Sequence, residues 1–352
     1  MQNWIERSEA IPDLDRGWRE RARKRLAEQT RPAGSLGVLE EVLERLVAIQ
    51  KKDRPSVSRK RILIFAADHG VAEEGVSLYP REVTKAMVFN FLAGGATVNA
   101  LGRQTGAEVE VVDIGVDGDF ALVPRLIHAK VRRGTRNMRR EPAMTEAELE
   151  QALEAGWQLA EQAKKDGIEI LGLGEMGIAN TTAASAVIAA LTESSPEIMT
   201  GRGTGLDEAA LKHKIQVIDE TLALHRKSFT GPLSVLQCVG GYEIAAMTGA
   251  MLRAAALDLA VVVDGWIVSA SALAAARMNP RVLNYLFFAH RSEERGHRIL
   301  LEELDVHPLL DLGMRLGEAS GAALAMGILE AAVRIYNEVA TFAEAGVANR
   351  HE

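Results

Sequence analysis

The segment GLGEMGIANTT, residues 172–182, brings glycines, an acid and small polar side chains together at a spacing suited to ligand chemistry. It follows the apolar run 168–173 and precedes TTAASAVIAAL. A strand, a glycine-rich turn and a helix start together form an anion-binding element. Glycine lets the backbone come close to a ligand, and the first amides of a helix have no partner within it. Glu175 is expected inside that turn. A carboxylate there repels phosphate, so it should face another part of the substrate.

Two further segments carry reactive groups. GRGTG, residues 201–205, precedes a helix with Asp207 and Glu208 in its first turn, and Thr204 or Asp207 is placed to cap it. The loop reads either as a plain connection or as a second amide cradle, with Lys214 rather than Lys212 supplying positive charge. RLGEASGAALA, residues 315–325, sets Glu318 between Gly317 and small residues. A lone glutamate at a helix start usually serves the helix dipole, whereas flanking glycines suggest close approach by something else.

Other chemistries fit less well. Gly172-x-Gly174-x-x-Gly177 matches a dinucleotide fingerprint, but the acid-tipped second strand of that motif does not follow. An NAD-dependent oxidoreductase is therefore the weaker reading. Asp68-His69-Gly70 and His290-Arg291 resemble metal ligands only loosely; no paired-histidine helix or cysteine cluster accompanies them. No metal is expected.

The elements that must position these groups alternate between strand and helix. Short apolar runs at 62–67, 109–114, 168–173, 235–239, 259–263 and 286–289 read as six strands. They are near-continuously hydrophobic rather than alternating, which suggests a parallel sheet covered on both faces. Their ends carry Asp68-His69-Gly70, Asp113-Ile114-Gly115, Gly172-Leu173-Gly174, Gly240-Gly241, Asp264-Gly265 and His290-Arg291-Ser292, where an open parallel sheet places its ligand. Both ends of the chain read as helical. An amphipathic helix carries Leu36, Leu39, Leu43, Leu46 and Val47, with Ser35 placed to cap it. Small residues after Glu318 permit close helix packing, within the chain or across a dimer.

The 352 residues carry a net charge of −7, which argues against nucleic-acid and anionic-membrane partners. Arg132, Arg133, Arg136, Arg139 and Arg140 read as a solvated loop face. The single cysteine, Cys238, is expected as a buried strand thiol and fits a reducing cytoplasm. The N-terminal residues lack the pattern of a secretory signal. The apolar stretch 254–276 contains Asp258 and Asp264 and resolves into strand, turn and helix rather than a membrane span.

RPAGSLGVLE, AADHGV, SLYPREVTKAMVFNFLAGGATVN, GLGEMGIANTT, GRGTG, VGGYEIAAMTGAM, VVDGWIVSASALAA, AHRSEERGH and RLGEASGAA run in this order along the chain. Together they resemble the nicotinate-nucleotide:dimethylbenzimidazole phosphoribosyltransferases, the CobT family of cobalamin biosynthesis. The resemblance spans nearly the whole sequence. It implies transfer of the 5-phosphoribosyl group of nicotinate mononucleotide to 5,6-dimethylbenzimidazole, with inversion, giving α-ribazole 5′-phosphate and nicotinate. Benzimidazole, hydroxybenzimidazole or a purine are alternative acceptors. No cofactor is implied. A non-catalytic carrier of benzimidazole ribotides would keep the phosphate loops but have little use for the acids.

Carried over residue by residue, the resemblance makes Glu318 the general base, Glu175 the second active-site carboxylate and Lys214 the active-site lysine. Gly174, Gly177, Gly203 and Thr204 become phosphate-cradle candidates, helped by Asn180 and Thr181. Ser77, Tyr79 and Met87 become candidates for the aromatic-base pocket. The implied fold is α/β: a Rossmann-like, mostly parallel six-stranded sheet flanked by helices, with a smaller helical domain built from both termini. This divides the chain into 1–58, 59–304 and 305–352. A cytoplasmic homodimer is implied, its second subunit helping to close the site.

Overall fold

The computed structural model describes residues 2–120, 123–203 and 205–349. Six parallel strands form one sheet in the order β3-β2-β1-β4-β5-β6. They are β1 (Lys60–Ala67), β2 (Ala107–Gly115), β3 (Leu126–His128), β4 (Ile170–Met176), β5 (Ala260–Val263) and β6 (Leu286–Phe288). Every residue of β4 and β5 is buried, so the continuous hydrophobicity of those runs follows from helices covering both faces. The chain works outward from β1 through β2 to β3. It then returns to β4 beside β1 and proceeds to β5 and β6. The strand order reverses between β1 and β4, and the crevice beyond their carboxyl ends is where such a sheet binds its ligand.

Five of the six expected strands are present, within a few residues of their expected bounds. The expected strand at 235–239 is instead the end of a helix, Pro232–Val239. Proline at its first turn and the bond from Ser234 Oγ to Gly231 O favour helix, and burial rather than strand pairing explains its apolar run. Cys238 is thus a buried helical thiol, not a strand thiol. Gly240 and Gly241 join two helices and end no strand. The sixth strand, β3, is three residues long at the sheet edge, too short to stand out as a pattern. The stretch 254–276 divides into a helix end, β5, a turn at Asp264-Gly265 and the helix Trp266–Met278. Among the described residues no helix is long and apolar enough to cross a membrane.

Helices from both ends of the chain meet. Gln29 Nε2 donates to the carbonyls of Ile335, Tyr336 and Val339 at 3.0, 3.1 and 3.2 Å. The helix Val38–Gln50 buries Leu43, Leu46 and Val47 of the expected stripe and packs against Ser320–Glu338, while Leu39 is half-buried and Leu36 precedes the helix. It starts after Gly37, with no side-chain cap, so Ser35 does not cap it. The arginine run 132–140 lies among acids. Arg136 pairs with Glu148 at 2.5 Å, and Arg139 with Glu74 and Glu220, each at 2.5 Å. Those charges are largely spent within the fold.

Candidate active site

Glu175 is the penultimate residue of β4, opposite Phe65 of β1, and so stands at the strand-order reversal. It lies in the strand rather than in the turn, which begins at Gly177. Its carboxylate Oε2 accepts from Asn180 Nδ2, the first residue of the helix Asn180–Thr192. Oε1 accepts from the backbone N–H of Glu318 at 3.4 Å. Burial pushes the Glu175 carboxyl up to about 8, with Asp264 adding to the shift; the Asn180 and Glu318 donors only partly offset it. At pH 7 burial thus favours the protonated form of this acid.

Glu318 sits on a strained loop. Gly317, Glu318 and Ala319 take φ values of +82°, +59° and +59°. Two consecutive side-chain-bearing residues in the left-handed region are costly and persist only where surrounding contacts enforce them. The enforcing contacts are visible. Asp264, just beyond β5, accepts from Ala322 N at 2.8 Å and so anchors the start of the helix Ser320–Glu338. Ser320 Oγ donates to Gly317 O at 2.7 Å. A Cβ on Gly174 would stand 2.5 Å from Ala319 N, and one on Gly317 would stand 2.4 Å from Glu175 Oε1. Both glycines let the loop lie directly on the end of β4. Glu318 is half-buried, and burial followed by the neighbouring Asp264 pushes its carboxyl up to about 6.

Both acids line one cleft of about 460 Å³, a size suited to a small organic ligand. Tyr79, Val83, Met87, Met176 and Ile178 give it an apolar wall. Thr181 and Gly203 line the cleft and also a side pocket of about 40 Å³, which Ser77 and Lys214 complete. Lys214 is buried and donates from Nζ to Thr181 Oγ1 at 2.8 Å. Burial lowers its ammonium to about 8 against the pull of Glu294. Asp207 caps its helix by accepting from Ala210 N at 2.8 Å.

The cleft therefore gathers Glu175, Glu318, Gly177, Asn180, Thr181, Gly203, Tyr79 and Met87, with Lys214 and Ser77 at its side pocket. Gly174 lies inside β4, where it admits Ala319 rather than facing the cleft. Asn180 spends its amide on Glu175. Thr204 lies outside the described residues. Gly172 and Gly174 are both strand residues, and β5, the next strand, begins only at Ala260. The dinucleotide reading fails on both counts. Among the described residues no group of three or more His, Cys, Asp and Glu side chains is arranged to hold a metal ion.

Four further ionisable residues line the cleft and are not among the expected site residues: Asp264, His290, Glu294 and Arg315. Asp264 and His290 stand at strand ends, and that position is the signal the sequence offers. Glu294 sits in the charged run SEERGH, and its burial is a tertiary fact. Arg315 donates to Gly203 O at 3.1 Å and ties the Glu318 loop to the second glycine loop.

Residues 11–347 match a family model described as phosphoribosyltransferase. The chain is 53% identical over 328 residues to the nicotinate-nucleotide–dimethylbenzimidazole phosphoribosyltransferase of Geotalea uraniireducens, with 93% of each chain covered. It is 50% identical over 343 residues to the protein of the same name from Chlorobium chlorochromatii, with 97% of each covered. Among solved structures it resembles CobT from Thermus thermophilus with a TM-score of 0.91 and 46% identity, over 95% of this chain and 100% of that one.

Proposed function

The chain belongs to the nicotinate-nucleotide–dimethylbenzimidazole phosphoribosyltransferase family, and on that footing we propose that its cleft moves the 5-phosphoribosyl group of nicotinate mononucleotide to 5,6-dimethylbenzimidazole. The products are nicotinate and α-ribazole 5′-phosphate, the nucleotide of the cobalamin lower ligand. The observation that carries the residue assignment is the shared cleft of Glu175 and Glu318, with the amide of one on the carboxylate of the other.

The leaving group explains the absence of an acid catalyst from this scheme. Nicotinate departs from a pyridinium, so its ring nitrogen takes the bonding electron pair and becomes neutral without a proton. Positive charge grows on the ribose, as in glycoside cleavage. Glu175 faces that charge. Burial favours its neutral form, and it ionises when the cationic nucleotide enters, because a nearby positive charge favours the carboxylate. One dimethylbenzimidazole nitrogen attacks the anomeric carbon from the opposite face, which inverts it from β to α. The other nitrogen loses its proton to Glu318. A carboxyl poised near 6 is ionised at neutral pH and still basic enough to accept it.

The remaining cleft divides by chemistry. Gly177, Gly203, Thr181 and Lys214 receive the phosphate, and Ser77, at the same side pocket, belongs with them rather than with the base. Tyr79 and Met87, on the apolar wall, take the flat dimethylbenzimidazole. Gly174 serves the fold of the Glu318 loop. Tyr79 and Leu316, which line the cleft, are 52% and 51% exposed, and Leu78 beside Tyr79 is 59% exposed. Such apolar exposure favours a homodimer in which a second copy covers this edge, and the mass in solution tests it. The single thiol favours a reducing, cytoplasmic setting for the enzyme.

Mixing the protein with nicotinate mononucleotide and dimethylbenzimidazole tests the function. Stoichiometric free nicotinate and α-ribazole 5′-phosphate are expected. Nucleotide binding without release of nicotinate would assign the chain to a carrier instead.

A further inference from the structure

We propose that Glu294 recognises the ribose of the nucleotide by accepting hydrogen bonds from its 2′- and 3′-hydroxyls, an assignment that rests on the nicotinate mononucleotide reading above. Glu294 lies on the segment after β6. It is 8% exposed and lines the same cleft as Glu175 and Glu318. Its Oε2 is buried and has no hydrogen-bond partner. A Cβ on Gly201 would stand 1.7 Å from that oxygen, so the carboxyl is pressed against the second glycine loop, whose Gly203 also faces the cleft.

The acid is held firmly. Its backbone N–H donates to Ser292 Oγ at 3.3 Å, and the N–H of Ser292 donates to His297 Nδ1 at 2.8 Å. An accepting Nδ1 leaves the proton of the neutral ring on Nε2, which stands 3.0 Å from Ser269 Oγ. Burial lowers His297 to about 3, so this support does not titrate near neutral pH. Burial likewise pushes the Glu294 carboxyl up, against the pull of Lys214, the Gly203 N–H and Arg315.

A buried acceptor left without a donor is destabilising, and a carboxylate can be satisfied only by donors. The substrates offer few. At neutral pH the phosphate and the ring carboxylate of nicotinate mononucleotide are anions that accept. Its pyridinium nitrogen carries no N–H. The two ribose hydroxyls are the donors that remain on the nucleotide. The N–H of dimethylbenzimidazole is the other donor in the reaction, and Glu318 takes it. Position agrees. Glu294 interacts with Lys214 at the phosphate end. Asp264 acts instead on Glu175 and Glu318, at the reacting carbon. The ribose must span those two ends.

The test compares nicotinate mononucleotide with its 2′-deoxy, 3′-deoxy and 2′,3′-dideoxy analogues, following nicotinate release from the wild type, E294A and E294D. The wild type is expected to favour the ribonucleotide over the dideoxy analogue by at least about a hundredfold in kcat/KM, as sites built to bond a hydroxyl do. E294A should lose about ten- to a hundredfold on the ribonucleotide and less than about threefold on the dideoxy analogue. Equal losses on both would overturn the assignment. If E294A does not fold, E294D must narrow the same ratio; an unchanged ratio overturns it. A wild type with no preference for the hydroxyls overturns it without any variant. If the wild type releases no nicotinate from the ribonucleotide when dimethylbenzimidazole is present, the phosphoribosyl-transfer reading falls first and this one with it.

Discussion

The backbone N–H of Glu318 donates to Glu175 Oε1 at 3.4 Å, joining two acids that stand 143 positions apart in the chain. The bond makes the loop that carries the base also a support for the acid facing the ribose. Asp264 reinforces the link. It holds the first turn of the Glu318 helix by accepting from Ala322 N, and its charge raises both carboxyls. A single anchor thus fixes the helix behind Glu318 and adds to the burial that raises the proton affinity of both groups.

The first consequence concerns protons. Burial holds Glu175 near 8 and favours its protonated form at pH 7, and an incoming pyridinium favours its ionised form. Binding of nicotinate mononucleotide at pH 7 should release up to about one proton, and the release should vanish in E175Q. Titration calorimetry in buffers of different ionisation enthalpy measures it. Release that persists undiminished in E175Q would assign the proton elsewhere.

Stability follows from the same shift. The ordinary value for this carboxyl is 4.5 and the folded value is about 8, so between them the folded chain holds a proton that the unfolded chain has lost. Stability therefore declines as pH rises through that window. E175Q is never charged and escapes the decline. It should melt above the parent at pH 8.5, by an amount on the order of a few kcal/mol, and the gap should close toward pH 5. Melting curves across pH decide it.

Lys214 is buried, and its Nζ faces Thr181 in the glycine-lined side pocket. K214M removes a charge-assisted contact to phosphate, worth about 1.5–3 kcal/mol. KM for nicotinate mononucleotide should rise by about ten- to a hundredfold. The affinity for dimethylbenzimidazole should change little. Initial rates with each substrate varied in turn separate the two; a rise confined to the KM of the base would place Lys214 in the wrong half of the cleft.

Gly317 tests the strained loop. Its φ is +82°, and an added Cβ meets Glu175 Oε1 at 2.4 Å. Gly313 also has a positive φ, +65°, but an added Cβ there meets nothing within 4 Å. Both alanine variants carry the backbone cost, about 1 kcal/mol. G317A alone should also displace the acids, and turnover should fall by at least about tenfold relative to G313A. Similar turnover in both would show that the loop tolerates the intrusion.

Much of this arrangement is legible in the sequence. Buried parallel strands are largely hydrophobic, so β1, β4, β5 and β6 stand out as runs, and β2 does so through Val109, Val111, Val112 and Ile114 despite its acids. Glu318 and Glu175 stand out because glycines flank them. The failures share a cause. The residues 235–239 are apolar because helix Pro232–Val239 is buried, and an apolar run of that length does not distinguish strand from helix. The three residues of β3 give no pattern. Gly174 looks like a turn glycine, but its role is to admit Ala319, a contact made across the fold. Glu294 belongs to a charged run, and only tertiary structure buries it.

The transfer turns on Glu318 taking the proton from the incoming base. The most direct test of that step is the rate of nicotinate release at saturating substrates for the wild type and E318Q, measured across pH. The wild-type rate should fall below about pH 6 as Glu318 takes up a proton. E318Q, folded and still binding nicotinate mononucleotide, should be slower by about 10²- to 10⁴-fold and lack that limb. A variant that turns over near the wild-type rate, with the acid limb intact, would contradict the account.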